Sequence, residues 1–374
     1  MPRLRRSDCG APGISRRRRG RGFEYLDAAG ARVEDDEVLA RIHELAIPPA
    51  WRDVWICSDP HGHLQATGID AAGRKQYLYH ERWRAHRDRR KFDTMLAFGE
   101  RLPRLRHRLE RDLALGSEPP ARLDPSALSR ERVLAAAVRL LDLGFFRIGS
   151  EDYAQRNESY GLTTMRREHV RIGGGELVFD YTGKSGQHRV QAVTDRESLA
   201  VVSALKRRRS GTQLLAYRRG ARWRELHAEE VNDYIKEAIG RQFSAKDFRT
   251  WNATVLAAVA LAARHDPARG RGGRDRAVAA AIKTVAAYLG NTPAVARASY
   301  IDPRVLDRFR EGITIAPALA GGAQDGPELG DPRVRRRVEV AVLRMLGGGR
   351  PHARRRRTAA PARERRSRPP QVRR

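Results

Sequence analysis

The segment LGNTPAVARASYIDP, residues 289–303, closes an alanine-rich stretch with a single tyrosine, Tyr300. Gly290 stops the preceding helix, Thr292 can cap a new one, and Pro293 suits its first turn. Tyr300 is therefore expected at the end of a short helix, just before Asp302-Pro303 start the next. Most tyrosines are packing residues with a polar tip, but one at a helix junction can face a cleft and act as a nucleophile. A tyrosine that attacks a phosphodiester needs particular company. Negative charge grows on the non-bridging oxygens, and the planar fork of arginine binds two of them at once. A phenol, with its ordinary pKa of about 10, needs cationic neighbours to reach the phenolate. The leaving 5′-oxygen needs a proton, which a lysine on a turn can deliver.

Three segments supply those residue types. LGFFRIGSED (143–152) places Arg147 after a helix stop and two phenylalanines. DYTGKSGQHR (180–189) places Lys184 at a hairpin tip. That turn lacks the four-residue gap between glycines of a nucleotide-binding P-loop, so it is not an ATP site. FSAKDFRTWNAT (243–254) places Lys246 and Arg249 one turn apart on one helix face. Asn291 precedes the tyrosine's helix. Each segment alone is ordinary in so basic a chain; the ordered set is specific.

Taken in order, Arg in FFRIGSE, Lys in YTGKSGQH, Arg in KDFRTW, Asn in LGNTP and Tyr in ASYIDP resemble the catalytic set of the type IB DNA topoisomerases, especially the short poxvirus-like and bacterial forms. The resemblance runs from about Phe23 to Arg310. It implies that Tyr300 forms a 3′-phosphotyrosyl link, Arg147 and Arg249 bind the scissile phosphate, Lys184 protonates the 5′-hydroxyl, and Lys246 supports the phosphate site. Asn291 stands where many members have histidine. An amide and a neutral imidazole both donate to a phosphate oxygen, but only histidine can also carry charge, so proton transfer there is disfavoured. GRKQYLYH (73–80) resembles the family's DNA-contacting strand, which assigns Arg74, Gln76, Tyr77 and Tyr79 to phosphates and base edges. Strand alternation puts Tyr77 and Tyr79 on one face and Gln76 and Leu78 on the other. The implied enzyme is an isomerase that relaxes positive and negative supercoils in duplex DNA as a monomer, without ATP, cofactor or metal. Two alternatives stay open. A tyrosine recombinase shares the chemistry, although it usually has histidine where Lys246 stands and lacks a β-rich N-terminal domain. A non-enzymatic basic DNA-binding protein would leave Tyr300 inert.

The 374-residue chain has a formal net charge of +29, which suits a polyanion, nucleic acid first. The longest apolar run, TVLAAVALAA (254–263), is too short to span a bilayer. Arginines at the N-terminus without an apolar run exclude a secretory signal. Two cysteines, Cys9 and Cys57, exclude a disulfide scaffold and a Cys-built zinc site. A cytoplasmic, nucleoid-associated protein is the expectation. His61 and His63 in DPHGH read as a solvated turn rather than a metal site.

The fold class expected is α+β, of the tyrosine recombinase and type IB topoisomerase kind. Residues 1–22 and 348–374 are expected as disordered basic tails, because SRRRRGRG (15–22) and the arginine-rich 350–374 segment have little to bury. Residues 23–88 read as a small β-rich, DNA-clamping domain, with a helix over 34–45 and strands within 51–59 and 64–80. Residues 89–347 read as a mainly helical catalytic domain. Its expected helices cover 91–113 (kinked at Pro103), 129–144, 195–208, 228–239, 246–263, 275–289 and 331–347, with a three-stranded β-excursion at 168–193. A flexible linker is expected at 268–276.

Overall fold

The computed structural model describes residues 3–114, 123–266, 270–319 and 330–347. The chain forms two compact units that divide between Ala97 and Phe98, inside one long helix. The expected boundary at 88/89 falls in the same helix, and the 348–374 tail lies outside the described residues.

The first unit is built on an antiparallel sheet of β1 (Ile14–Arg19), β2 (Gly22–Leu26), β3 (Arg52–Ile56), β4 (Leu64–Ile69) and β5 (Lys75–Tyr79), in the order β2-β1-β3-β4-β5. Helix α1 (Asp36–Glu44) starts at Asp35, whose carboxylate accepts from the backbone of Glu37 and Val38. Ile42 from this helix packs with Ile14, Val54, Ile56 and Ala66 from the sheet.

Here the expected N-terminal tail is corrected. SRRRRGRG is most of the β1–β2 hairpin, with Arg19 paired to Gly22. The arginine run folds because its side chains alternate. Arg16 turns inward, lies 4.2 Å over the Phe23 ring, and donates to the carbonyls of Ile47, Pro48 and Trp51. Arg17 and Arg19 stay outside beside Glu24. Residues further upstream are also held: Arg5 pairs with the backbone of His61 and His63, and Ser7 Oγ donates to Leu64 O at 2.9 Å. His63 is accordingly more than a solvated turn residue, since its Nδ1 accepts from Ser7 N and its ring meets Trp83 edge-on.

The second unit takes the rest of α2 (Glu81–Leu113), which is helical on both sides of Pro103. Next come α3 (Arg130–Leu143), α4 (Glu151–Asn157) and an antiparallel sheet of β6 (Val170–Gly173), β7 (Glu176–Gly183) and β8 (Gln187–Val193). Helix α5 (Arg196–Arg207), the hairpin β9 (Ala216–Arg219) with β10 (Arg222–Glu225), α6 (Ala228–Ile239) and α7 (Ala245–Ala262) follow. The chain continues through α8 (Arg271–Leu289), α9 (Pro293–Ser299), α10 (Pro303–Arg310), the single turn α11 (Ala316–Leu319) and α12 (Pro332–Leu346).

Helix α7 is buried almost all round, with an unbroken apolar run from Val255 to Ala262, and is the centre of this unit. Trp251, fully buried, lies so near Gly99 that a Cβ there would come within 2.6 Å of the indole. The expected linker at 268–276 is corrected in part: from Arg271 it is the first turns of α8, and 267–269 lie outside the described residues. Arg274 donates to Arg310 O and Asp275 pairs with Arg310, which ties these turns to α10 despite their glycines. The β9–β10 hairpin and α4 were not expected. In AYRRGARWRE charged residues occupy both strand faces, so no apolar alternation marks the hairpin.

Candidate active site

Helix α3 ends at Gly144, whose N–H donates to Leu140 O at 2.8 Å. The chain leaves the helix extended, so alternate residues face opposite ways. Phe146 is buried against Phe179 and Tyr181. Its neighbours Phe145 and Arg147 are turned toward a cleft. Arg147 Nη2 donates to Asn291 Oδ1 at 2.7 Å, joining residues 144 apart in the chain.

Asn291 is placed by the end of α8. Gly290 takes a left-handed φ of +59°, and Asn291 N donates back to Ala286 O at 3.0 Å, the C-terminal cap predicted for this glycine. The site needs glycine for a second reason. A Cβ on residue 290 would sit 2.7 Å from Arg189 Nη1. With Oδ1 engaged by Arg147, Asn291 Nδ2 is a buried donor with no partner.

Arg249 lies on α7 and is almost wholly buried. Its Nη1 donates to Phe145 O and its Nη2 to Leu289 O, so one guanidinium spans the segments that carry Arg147 and Asn291. Its Nε has no partner. Burial, with repulsion from Arg147 added, brings its pKa down to about 10 against the pull of Tyr300, which leaves it cationic at neutral pH. The guanidinium carbon stands 5.2 Å from the centre of the Tyr300 ring.

Tyr300 is the C-cap of α9, as the capping signals predict, and Thr292 Oγ1 accepts from Val295 N at the other end of that helix. Burial alone would raise the phenol's pKa. The charges of Arg249 and Arg147, a hydrogen bond from Arg249 and the charge of Lys246 outweigh it, and the pKa lies below the ordinary phenol value. Lys246 itself is exposed in the first turn of α7.

Lys184 sits at the tip of β7–β8, where Ser185 and Gly186 both adopt positive φ. With Arg147, Arg249, Tyr160, Tyr181 and Arg189 it lines one small cavity. The structure thus brings Arg147, Lys184, Arg249, Asn291 and Tyr300 to one place, with Lys246 near enough to act on Tyr300 electrostatically. Arg189 and Tyr181 were not foreseen. They are cross-strand partners, and Arg189 donates to Ala287 O and Tyr288 O, tying β8 to the end of α8. The available signal was the register of the TGKSGQ hairpin, which sets the two residues opposite each other.

The family model described as "Eukaryotic DNA topoisomerase I, catalytic core" matches residues 80–316, more than half of the chain. The chain belongs to the type IB DNA topoisomerases. Residues 22–70 match the model for "Bacterial DNA topoisomerase IB, N-terminal domain". The chain is 29% identical over 305 residues to the DNA topoisomerase 1B of Acanthamoeba polyphaga mimivirus, covering 80% of this chain and 88% of the relative. It is 20% identical over 246 residues to the DNA topoisomerase 1B of vaccinia virus (strain Copenhagen), covering 66% of this chain and 72% of that protein. Of the readings open from sequence, family membership supports the topoisomerase, an isomerase acting on DNA. The fold agrees at the level of an N-terminal β-sheet followed by a mainly helical remainder.

The four residues assigned to DNA contact lie in the first unit. Asp70 shapes the β4–β5 turn by accepting from Ala72 N and Arg74 N, and its other oxygen takes Arg74 Nε and Gln76 Nε2. Those bonds, the backbone one from Arg74 foremost, hold its pKa at about 2. Tyr77 and Tyr79 share a face, with near-parallel rings 6.2 Å apart, and Tyr77 is 47% exposed. Among the described residues no cluster of three or more His, Cys, Asp or Glu is placed to hold a metal ion, and no helix is long and apolar enough to cross a membrane.

Proposed function

We propose that the chain relaxes supercoiled duplex DNA by transient cleavage of one strand, with Tyr300 as nucleophile. The carrying observation is the buried Arg249 guanidinium over the Tyr300 ring, with an unpartnered Nε–H, beside the Arg147–Asn291 pair. Tyr300 gives up its proton to solvent, and the phenolate Oη, favoured by the neighbouring cations, attacks the scissile phosphorus. The new phosphotyrosyl bond replaces the bond to the 5′-oxygen, and Lys184 delivers the proton that this oxygen takes up. Arg147, Arg249 and the Asn291 amide donate to the non-bridging oxygens as charge builds there. The freed 5′-hydroxyl end swivels, then attacks the phosphotyrosine and reverses the step. Bond energy is conserved in the covalent link, so ATP is not consumed.

The exposed face of β5 is read as a contact for duplex DNA. Tyr77 and Tyr79 would lie against it and Arg74, oriented by Asp70, would reach phosphates, whereas Gln76, on the other face of β5 and bonded to Asp70, would serve by holding that turn. The enzyme is read as a monomer working at the nucleoid. The decisive experiment is relaxation of negatively supercoiled plasmid in EDTA without ATP, comparing the wild type with Tyr300→Phe. Relaxation by the wild type alone supports the proposal; binding without relaxation by both proteins overturns it.

A further inference from the structure

Helix α12 follows Tyr300 by some thirty residues and, among the described residues, makes no hydrogen bond or ion pair with the groups in the proposed chemistry, yet it supplies two of the four members of a buried charged network. Arg106 from α2, Asp142 from α3, and Arg335 and Glu339 from α12 form a neutral quartet. Arg106 binds Asp142 at 2.8 Å and Glu339 at 2.7 Å, and Arg335 binds Asp142 at 2.8 Å and Glu339 at 3.3 Å. Asp142 is 1% exposed and Glu339 8%.

Three further bonds aim this network at the proposed active site. Arg335 Nη2 donates to Asp142 O at 2.6 Å, and Asn252 Nδ2 donates to the same carbonyl at 3.0 Å. That oxygen belongs to the last turn of α3, where carbonyls have no partner within the helix. It fixes the point from which the chain runs through Gly144 to Arg147. Glu339 Oε1 accepts from Trp251 Nε1 at 3.3 Å. Trp251 and Asn252 immediately follow Arg249 and Thr250 on α7, and Arg249 in turn holds Phe145 O. The backbones that carry Arg147 and Arg249 are therefore both pinned from behind by α12.

We propose that α12 is a positioning strut for the two phosphate-binding arginines, acting through Arg335 and Glu339. This rests on the reading of Arg147 and Arg249 as phosphate ligands. A hydrophobic seam would serve stability as well as buried ions do. The ions add direction: each bond admits one register of α12 against α3 and α7. Reaction rates are steep in that quantity, since a misplacement of about 1 Å can cost about 100-fold.

The test is single-turnover cleavage by Arg335→Met, Arg335→Lys and Glu339→Gln. DNA affinity of each is measured in a Tyr300→Phe background, and melting temperature confirms folding. The Arg335→Met change is also made on Arg147→Ala. The expectation is cleavage slowed about 10- to 100-fold by Arg335→Met, unchanged DNA affinity, and partial rescue by lysine. The same change should cost less where Arg147 is already absent, because the share that acts through Arg147 is lost and only the share through Arg249 remains. If Arg335→Met does not fold, Glu339→Gln, which keeps the side chain's shape, decides in the same way. Wild-type cleavage by folded strut variants, or equal losses in both Arg147 backgrounds, overturns the strut. Wild-type cleavage by Arg147→Ala instead overturns the phosphate-ligand reading beneath it.

Discussion

Tyr300 lies beside cationic groups that its phenolate would neutralise, and the consequence is a pH profile. Arg249, Arg147 and Lys246 favour the phenolate, so its pKa is depressed despite burial. Cleavage should rise with pH through an inflection below the ordinary phenol value of about 10. Arg249→Ala should move that inflection upward and lower the plateau by about 100-fold or more; an unmoved profile in pre-steady-state cleavage would remove Arg249 from the site. The orphaned Asn291 Nδ2 leads to a second prediction. Asn291→Asp keeps the shape but replaces the donor with an acceptor that carries charge. Single-turnover cleavage should fall by about 100-fold or more, while Asn291→His should retain far more.

At the level of elements, the α8–α9 junction was legible because its signals are local. Gly290, Thr292 and Pro293 specify a stop, a cap and a first turn, and the structure has all three. The contacts that complete the site were not legible. The Arg147–Asn291 bond joins distant segments, and Arg249's two carbonyl partners come from a loop and a helix end that spacing alone does not bring together. The β1–β2 hairpin was hidden differently: an arginine run looks like a solvated tail until Phe23 and three carbonyls are found to take one of its members. The junction also yields a test. Gly290→Ala forces a left-handed alanine and displaces Arg189, so it should destabilise the protein by about 1–2 kcal/mol from the backbone conformation alone. Thermal unfolding measures this, and slower cleavage should accompany it.

For the molecule as a whole, the +29 charge predicts DNA binding that weakens steeply with salt. Deleting the arginine-rich 350–374 segment should flatten that salt dependence and leave single-turnover cleavage of bound DNA unchanged; filter binding over a salt series checks the first, a covalent-adduct assay the second. Acid should act elsewhere. Burial would raise the Asp142 carboxyl, but Arg335 and Arg106 hold it well below the usual carboxylate range. A depressed folded-state pKa contributes stability above the unfolded value of about 3.9, and that stability disappears as pH falls through the folded value. Unfolding of the second unit should therefore steepen below about pH 4, and less so in Asp142→Asn, as read by circular dichroism.

One hydroxyl on α7 acquires a different meaning once a DNA end hangs from the nucleophile. Thr254 Oγ1 donates to Tyr300 O and accepts from Asp302 N, while Ile301 between them is fully buried. In the proposed cycle the strand end linked to Tyr300 must stay in place while the freed 5′-hydroxyl end swivels. Any tension on that link passes through the peptide into Thr254, on the same helix as Arg249. The tether and the guanidinium that must meet it again at religation are thus moored to one rigid rod, and under torque they are displaced together.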